Sequence, residues 1–159
     1  MKNKLVIRIL LSILIIINCI IIFKFSAEKS EKSDKTSGVV IDKIIEFNPI
    51  TCNLSQEEKE NAKEQIVTPV RKTAHFTIYL SLGFWTYLFF KTFSVKEKTR
   101  IISSLGFCFL YACTDEFHQL FISGRSGEIK DVCLDTCGAL FGILIIYCIF
   151  KLSKKNKTD

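Results

Sequence analysis

Four apolar stretches, at residues 5–25, 73–90, 101–122 and 132–150, constrain the fold of this chain more than any other feature. A helix needs about 20 residues to cross a hydrocarbon core of ~30 Å, and each stretch is close to that length. The chain is 48% hydrophobic and 24% charged, and the charges lie mostly between the apolar stretches. The sequence therefore predicts an all-α membrane protein, with four transmembrane helices in a single domain over residues 1–159.

The distribution of lysine and arginine predicts how these helices are oriented. Basic residues concentrate in segments 2–8, 91–100 and 151–157. Cytoplasmic loops carry an excess of Lys and Arg, so we expect a multi-pass protein of the cell membrane with both termini in the cytoplasm. The first apolar stretch is longer than a signal-peptide core and lacks a small-residue cleavage site, which favours a retained anchor.

Residues 28–70 would then form an extracytoplasmic segment between the first two helices, and we expect it to be largely helical or flexible. Its start, SAEKSEKSDKTSG, is rich in Ser and Lys, whereas VVIDKIIEF and LSQEEKENAKEQIVTPV carry helical patterns. Ser55 followed by Glu58 fits a capping box, which predicts a short helix that begins there. We expect these short helical pieces to lie on the membrane surface, and a solvated linker is the alternative interpretation.

The second transmembrane helix is expected to begin separately, with Thr68 as its cap and Pro69 in its first turn. This start would place Arg71 and Lys72 at the positive end of the helix dipole, where cations are disfavoured. The two cations therefore need compensating partners at the same depth.

Acidic and polar residues occupy the outer ends of the third and fourth helices. A carboxylate costs roughly 2.5–3.5 kcal/mol at the centre of a bilayer, so these acids need partners too. Helical spacing and the turn SGRSGEIK, with Gly124 and Gly127, should bring them to the cations, while Gly138 and Gly142 let another helix approach closely. The predicted polar cluster comprises Arg71, Lys72, His75, Tyr79, Asp115, Glu116, His118, Gln119, Arg125, Asp131 and Asp135.

Two segments that carry this cluster, VRKTAHFTIYLSLG and TDEFHQLFISGRSGEIKDVCLDTCGALFG, resemble the VanZ-like family of small bacterial membrane proteins. The resemblance runs from about residue 26 to residue 150 and includes every residue of the polar cluster. The family often has glutamate just before the tyrosine, where this chain has Ile78. The resemblance implies a role in the cell envelope and lowered susceptibility to teicoplanin, a lipid-bearing glycopeptide antibiotic, but it implies no reaction.

We therefore expect a binding protein rather than an enzyme. Its partner would be a membrane lipid, another cell-envelope component or a lipid-bearing glycopeptide, because Arg and Lys suit phosphate and carboxylate groups. We expect no metal and no other cofactor. No basic stripe is interleaved with aromatic residues, so we expect no nucleic-acid partner. A structural lock of ion pairs between helices is the alternative role for the cluster.

Two other classes of function remain open. The first is a membrane-embedded hydrolase or transferase acting on a lipid-linked substrate, with His75 or His118 as general base. A metal-dependent form of it would use both histidines and one or two carboxylates, so a stoichiometric bound metal would favour this class. The second is a transporter, which four short helices support poorly unless the protein oligomerises.

Overall fold

The computed structural model describes residues 2–28, 38–39, 41–43, 47, 55–125 and 127–155. Within these residues the chain forms four long helices and no β-strand. They are α1 (Lys2–Ser26), α2 (Gln56–Lys91), α3 (Glu97–Gln119) and α4 (Ile129–Lys155). The prediction of an all-helical chain is confirmed. In the helical pattern predicted at residues 39–47, the described residues 39, 41–43 and 47 are helical, and the remaining positions lie outside the described residues.

Helix α2 is one continuous helix, which corrects the predicted start at Thr68. Ser55 caps it: the Ser55 hydroxyl accepts a hydrogen bond from the backbone N–H of Glu58, and the Glu58 carboxylate accepts one from the backbone N–H of Ser55. The hydroxyl also hydrogen-bonds this carboxylate and lowers the pKa of Glu58. The predicted capping box is therefore confirmed, but it opens the long helix rather than a separate short one. Pro69 lies inside that helix.

The longer helix changes the expected position of Arg71 and Lys72. Because α2 begins at Gln56, Arg71 and Lys72 lie several turns inside the helix and not at its positive end. Their position is not disfavoured by the helix dipole, which acts within the first and last turns. What they need is a partner for a partly buried charge.

Helix α2 occupies the centre of the bundle, where it contacts α1, α3 and α4, and its contact with α4 is the most extensive. Close approach to α4 is possible because glycines lie at the crossing. A Cβ atom at Gly138 would overlap the backbone carbonyl of Phe76, and one at Gly142 would overlap that of Leu80. The predicted small-residue interface on α4 is confirmed, and its partner is α2.

The outer faces of the other three helices carry large exposed apolar side chains. Examples are Leu10 on α1, Leu110 on α3 and Phe141 on α4. Among the described residues of α2, no large hydrophobic side chain is exposed. Exposed apolar surface of this extent is typical of contact with a membrane or a partner.

Two helices, Asn3–Ser26 and Ile129–Lys154, are long and apolar enough to cross a membrane. Helix α2 carries His, Thr and Tyr side chains in its apolar stretch, and α3 ends in Asp115, Glu116 and His118. These polar groups lower the mean hydropathy of α2 and α3. Their crossing of the membrane therefore stays a prediction.

The helices define two ends of the bundle. At the basic end, formed by residues 2–8, 91–100 and 147–155, the Arg8 side chain donates hydrogen bonds to the side-chain and backbone oxygens of Thr92, both at 3.0 Å. At the polar end, Arg125 donates to the backbone carbonyl of Phe25 at 3.0 Å. The polar end contains the ends of α1 and α3, the start of α4 and the part of α2 around His75.

Candidate functional site

A pocket of about 180 Å³ opens at the polar end of the bundle. All members of the predicted polar cluster except Tyr79, Asp115 and His118 line it. The sequence analysis missed four lining residues: Thr68, Gly124, Glu128 and Leu134. They carry no sequence pattern of their own, although each lies within a few residues of a predicted member. The structure thus brings most of the cluster around one cavity, while its role in binding stays a prediction.

One wall of the pocket is held by an ion pair between α2 and α4. The Lys72 ammonium donates to the Asp131 carboxylate at 2.5 Å, and this hydrogen bond raises the pKa of Lys72. Asp131 lies in the first turn of α4, where the helix dipole stabilises a negative charge. The pair accounts for two of the predicted charges and joins the two helices at the rim of the pocket.

A second group of polar contacts joins α3 to the start of α4. The Glu116 carboxylate accepts a hydrogen bond from the backbone N–H of Glu128 at 3.0 Å. This N–H precedes α4, where unpaired donors need an acceptor. The Gln119 amide donates to Glu116 at 2.8 Å, which holds that carboxylate in place. Glu116 therefore has a structural role, and this explains why a buried acid is tolerated on α3.

The loop between α3 and α4 carries Arg125 into the same group of contacts. Gly124 has φ 79°, a conformation that favours glycine, and a Cβ at Gly127 would lie 2.6 Å from the Glu116 carbonyl. The predicted tight connection is confirmed. Arg125 donates to the Gln119 side chain at 3.4 Å, and burial lowers the pKa of its guanidinium. The cation is thereby fixed between α1 and α3.

Below these contacts, three ligand-type side chains from three helices converge on the pocket floor. One potential ligand atom from each of His75, Asp115 and Asp135 lies within 4.8 Å of the others. Asp135 is 1% exposed, and neither of its carboxylate oxygens has a hydrogen-bond partner. Asp115 is 4% exposed and has one unpartnered oxygen, while its other oxygen accepts from Gln119 at 3.4 Å.

Tyr79 lies beside this floor rather than in the open pocket. Its ring packs against Tyr111, its side chain is fully buried, and its hydroxyl has no hydrogen-bond partner. Its electrostatic neighbours include Asp115 and Asp135. Tyr79 therefore adds a buried donor next to carboxylate oxygens that lack one.

His118 occupies a different place from the one its sequence position suggests. Its ring packs against Phe23 of α1, with 4.6 Å between the ring centroids, and it does not line the pocket. Helical spacing predicts that His118 shares a face of α3 with Asp115. A side chain three residues from Asp115 can instead turn toward α1. His75 is consequently the histidine at the pocket floor.

The sequence model of the VanZ/LLP1 family matches residues 10–151, which is nearly the whole chain. No curated protein and no solved structure matches the chain. The matched region contains α1 from its third turn, all of α2 and α3, the pocket and most of α4. The chain therefore belongs to the VanZ-like family.

Proposed function

We propose that the pocket at the polar end binds the anionic head group of a membrane-anchored envelope molecule. By this binding the protein would lower the susceptibility of the cell to lipid-bearing glycopeptides such as teicoplanin. The observation that carries the proposal is the pocket itself, which is lined by Arg71, Lys72 and Arg125 at the end of an apolar helix bundle. Cations in such a position suit phosphate or carboxylate groups.

The size of the pocket favours a head group over a whole antibiotic molecule. Pockets that enclose drug-sized ligands usually measure about 300–1,000 Å³, and this one measures about 180 Å³. A phosphate or carboxylate group would enter, while the rest of the molecule would stay in the membrane or outside it. A membrane lipid, a cell-wall precursor and a lipid-bearing glycopeptide all offer such a group.

The proposal includes four membrane crossings, with the polar end outside the cell. Helix α3 supports this because it exposes Ile102, Phe107 and Leu110 on the outside of the bundle. Helix α2 is less apolar, but its neighbours surround it, so it needs no lipid-facing apolar stripe. The basic end would face the cytoplasm, in agreement with the excess of Lys and Arg in cytoplasmic loops.

Drug susceptibility in a sensitive Gram-positive host tests this proposal. Wild type should raise the inhibitory concentration of a lipid-bearing glycopeptide more than that of vancomycin, which lacks the lipid tail. Lys72→Met should reduce this effect, because it removes a cation from the pocket. The matched control is Lys130→Met, since Lys130 is an exposed lysine on α4 outside the pocket.

Two results would contradict the proposal. One is an equal inhibitory concentration in cells with wild type and with empty vector, at verified membrane levels of the protein. The other is an equal loss of effect in Lys72→Met and Lys130→Met, which would separate the phenotype from the pocket.

A second candidate function is a hydrolase or transferase that acts on a lipid-linked envelope substrate. The observation that favours it is the position of His75, whose Nδ1 atom lies 3.8 Å from the Asp135 carboxylate at the pocket floor. An imidazole beside a carboxylate can act as a general base. Release of inorganic phosphate from a lipid-linked phosphate by purified wild type, but not by His75→Gln, would favour this candidate.

A further inference from the structure

We propose that His75, Asp115 and Asp135 together bind one divalent transition-metal ion, Mn²⁺ or Zn²⁺, at the floor of the pocket. The three residues come from α2, α3 and α4, and their ligand atoms lie within 4.8 Å of one another. The inference rests on the proposed function in one respect, since the ion would face the cavity proposed to bind the head group. It departs from the sequence-based expectation of no metal.

The other described acids of the pocket already have partners. Asp131 accepts from Lys72, and Glu116 accepts from Gln119 and from the Glu128 backbone. Asp135 differs from them, because both of its carboxylate oxygens are buried without a hydrogen-bond partner. A network built only to join helices would not leave both oxygens of its most buried carboxylate without a hydrogen bond.

Charge balance also favours a bound cation at the pocket floor. Removing a carboxylate from water costs several kcal/mol unless a partner compensates it, and here Asp115 and Asp135 are buried side by side. A divalent cation bound by two carboxylates and a neutral imidazole gives a site of zero net charge. The described hydrogen bonds of Lys72 and Arg125 go to Asp131, Gln119 and Phe25 and not to these two carboxylates.

The distance between the His75 and Asp135 side chains also favours a bound ion. The Nδ1 atom of His75 lies 3.8 Å from Oδ2 of Asp135, which is too far for a hydrogen bond. Two atoms that each bind the same ion at ~2.1 Å are separated by about 3.0–4.2 Å. The His75–Asp135 separation thus fits an ion between the two side chains better than a direct contact.

The ligand set indicates the class of metal. Imidazole suits Zn²⁺ and other first-row transition metals, and carboxylates also suit Mn²⁺. Three protein ligands leave at least one coordination position open. His75 and Asp135 both line the pocket, so an open position would face it and could accept an anionic oxygen. A Lewis acid there can hold an anion or activate a water molecule, so bound metal would also strengthen the hydrolase candidate.

Tyr79 completes the proposed site as an outer partner. Its buried hydroxyl has no acceptor of its own, and Asp115 and Asp135 are close to it. Hydrogen bonds to metal-binding carboxylates orient them, and their loss commonly weakens metal affinity about 10–100-fold. We expect Tyr79→Phe to weaken binding without removing the ion.

Metal content of the purified full-length protein tests the inference. The protein in detergent micelles would be stripped with EDTA, loaded with Mn²⁺ or Zn²⁺, desalted and analysed by elemental mass spectrometry. Wild type should retain one ion per chain, and Asp135→Asn should weaken binding by more than about tenfold. The matched control is Asp131→Asn, the same substitution one turn earlier on α4, which should retain the ion because Lys72 is its partner.

A spectroscopic measurement on wild type guards against variants that fail to fold. Pulsed electron paramagnetic resonance of the Mn²⁺-loaded protein should show coupling to one directly bound nitrogen, and His75→Gln should lose it. Absence of a stoichiometric ion, absence of nitrogen coupling, or equal loss of metal in Asp131→Asn and Asp135→Asn would overturn the inference.

The two proposals fail in distinguishable ways. A protein that raises drug tolerance but binds neither ion would refute the metal site and leave the binding pocket standing. A protein that binds one ion through His75 but does not alter susceptibility would support the metal site and contradict the proposed resistance function.

Discussion

At the basic end of the bundle, lysines such as Lys4, Lys98 and Lys154 are exposed, and the Lys91 ammonium rests on the Phe150 ring. At the polar end, most of the acids and cations are half-buried or buried around a pocket, and Glu128 is exposed. Exposed cations cost little to keep and can orient the chain in a membrane without any binding partner. Buried charges are expensive unless paired, so their retention at one end points to a function there.

The number of charges alone is a poor guide to function in this chain. The basic end carries ten Lys and Arg residues and one acidic residue, more than enough to account for the net charge of +6, and the proposed cytoplasmic position of this end would explain the excess. At the polar end several buried polar atoms have no hydrogen-bond partner, among them atoms of Tyr79, Asp115 and Asp135. The proposed metal site rests on these unpartnered atoms, and the proposed binding of a head group rests on the cations that line the pocket.

The largest expected effect comes from separating α2 and α4 beneath the polar end. Gly138→Val would place side-chain atoms where the Phe76 carbonyl lies, and the two helices would have to move apart. We expect a loss of about 3 kcal/mol or more in the free energy of unfolding. Thermal unfolding in detergent would measure it.

The matched control for Gly138→Val is Gly106→Ala on α3, because nothing lies within 4 Å of a Cβ atom at Gly106. Alanine should be neutral or stabilising there by up to about 1 kcal/mol. Equal destabilisation by the two substitutions would contradict the close α2–α4 approach.

A smaller effect is expected from breaking the ion pair at the pocket rim. Lys72→Met leaves the Asp131 carboxylate without its cation and should destabilise the protein by about 1 kcal/mol, since the pair is only partly buried. Lys98→Met at the basic end should change stability by less than about 0.5 kcal/mol. Chemical unfolding in mixed micelles would compare the two variants.

The pairing itself is tested by a second substitution. Asp131→Asn combined with Lys72→Met should recover part of the lost stability, because the uncompensated charge is removed. A double variant that is less stable than the sum of the two single effects predicts would show that the two charges do not stabilise each other. The contrast between paired charges at the polar end and exposed lysines at the basic end would then be wrong.

The smallest effect should appear at the start of α2, away from both ends. Ser55→Ala removes the acceptor for the Glu58 N–H and should increase amide hydrogen exchange over residues 57–60 without altering the pocket. The pKa of Glu58 is lowered by its hydrogen bonds with Ser55. The cap should therefore be fully present above the unfolded-state pKa and lost as pH falls through the folded-state value.

The matched control for the cap is Glu57→Gln, which leaves the capping hydrogen bonds in place. Exchange over residues 57–60 that is unchanged in Ser55→Ala, or increased equally in Glu57→Gln, would contradict the assigned start of α2.

The sequence predicted the helices well where a physical signal was local. Apolar length located α1 and α4, and the Ser55–Glu58 pattern located the true start of α2. The separate start at Thr68 was wrong because proline inside a helix is disfavoured but not forbidden. The hydrogen bond that Pro69 cannot donate would go to the carbonyl of Gln65, an exposed residue in a part of the helix that water can reach.

The sequence predicted which residues form the site but not which of them contact each other. Helical spacing shows which side chains share one face of a helix, and it does not show which neighbouring helix they meet. The spacing grouped His118 with Asp115, yet the His118 ring packs on Phe23. No pattern indicated that Glu116 would accept the N–H of Glu128, since this contact depends on where the loop places α4. Pairing across helices required the three-dimensional structure.

We propose that the two ends face opposite sides of the membrane, with the polar pocket outside. The most direct measurement is thiol labelling of intact cells with an impermeant maleimide. Single cysteines at exposed Ser123, in the polar-end loop, and exposed Ser94, in the basic-end loop, would be compared in a chain whose seven native cysteines are replaced. We expect position 123 to be labelled in intact cells and position 94 to be labelled only after permeabilisation. Labelling of position 94 with protection of position 123 would contradict it.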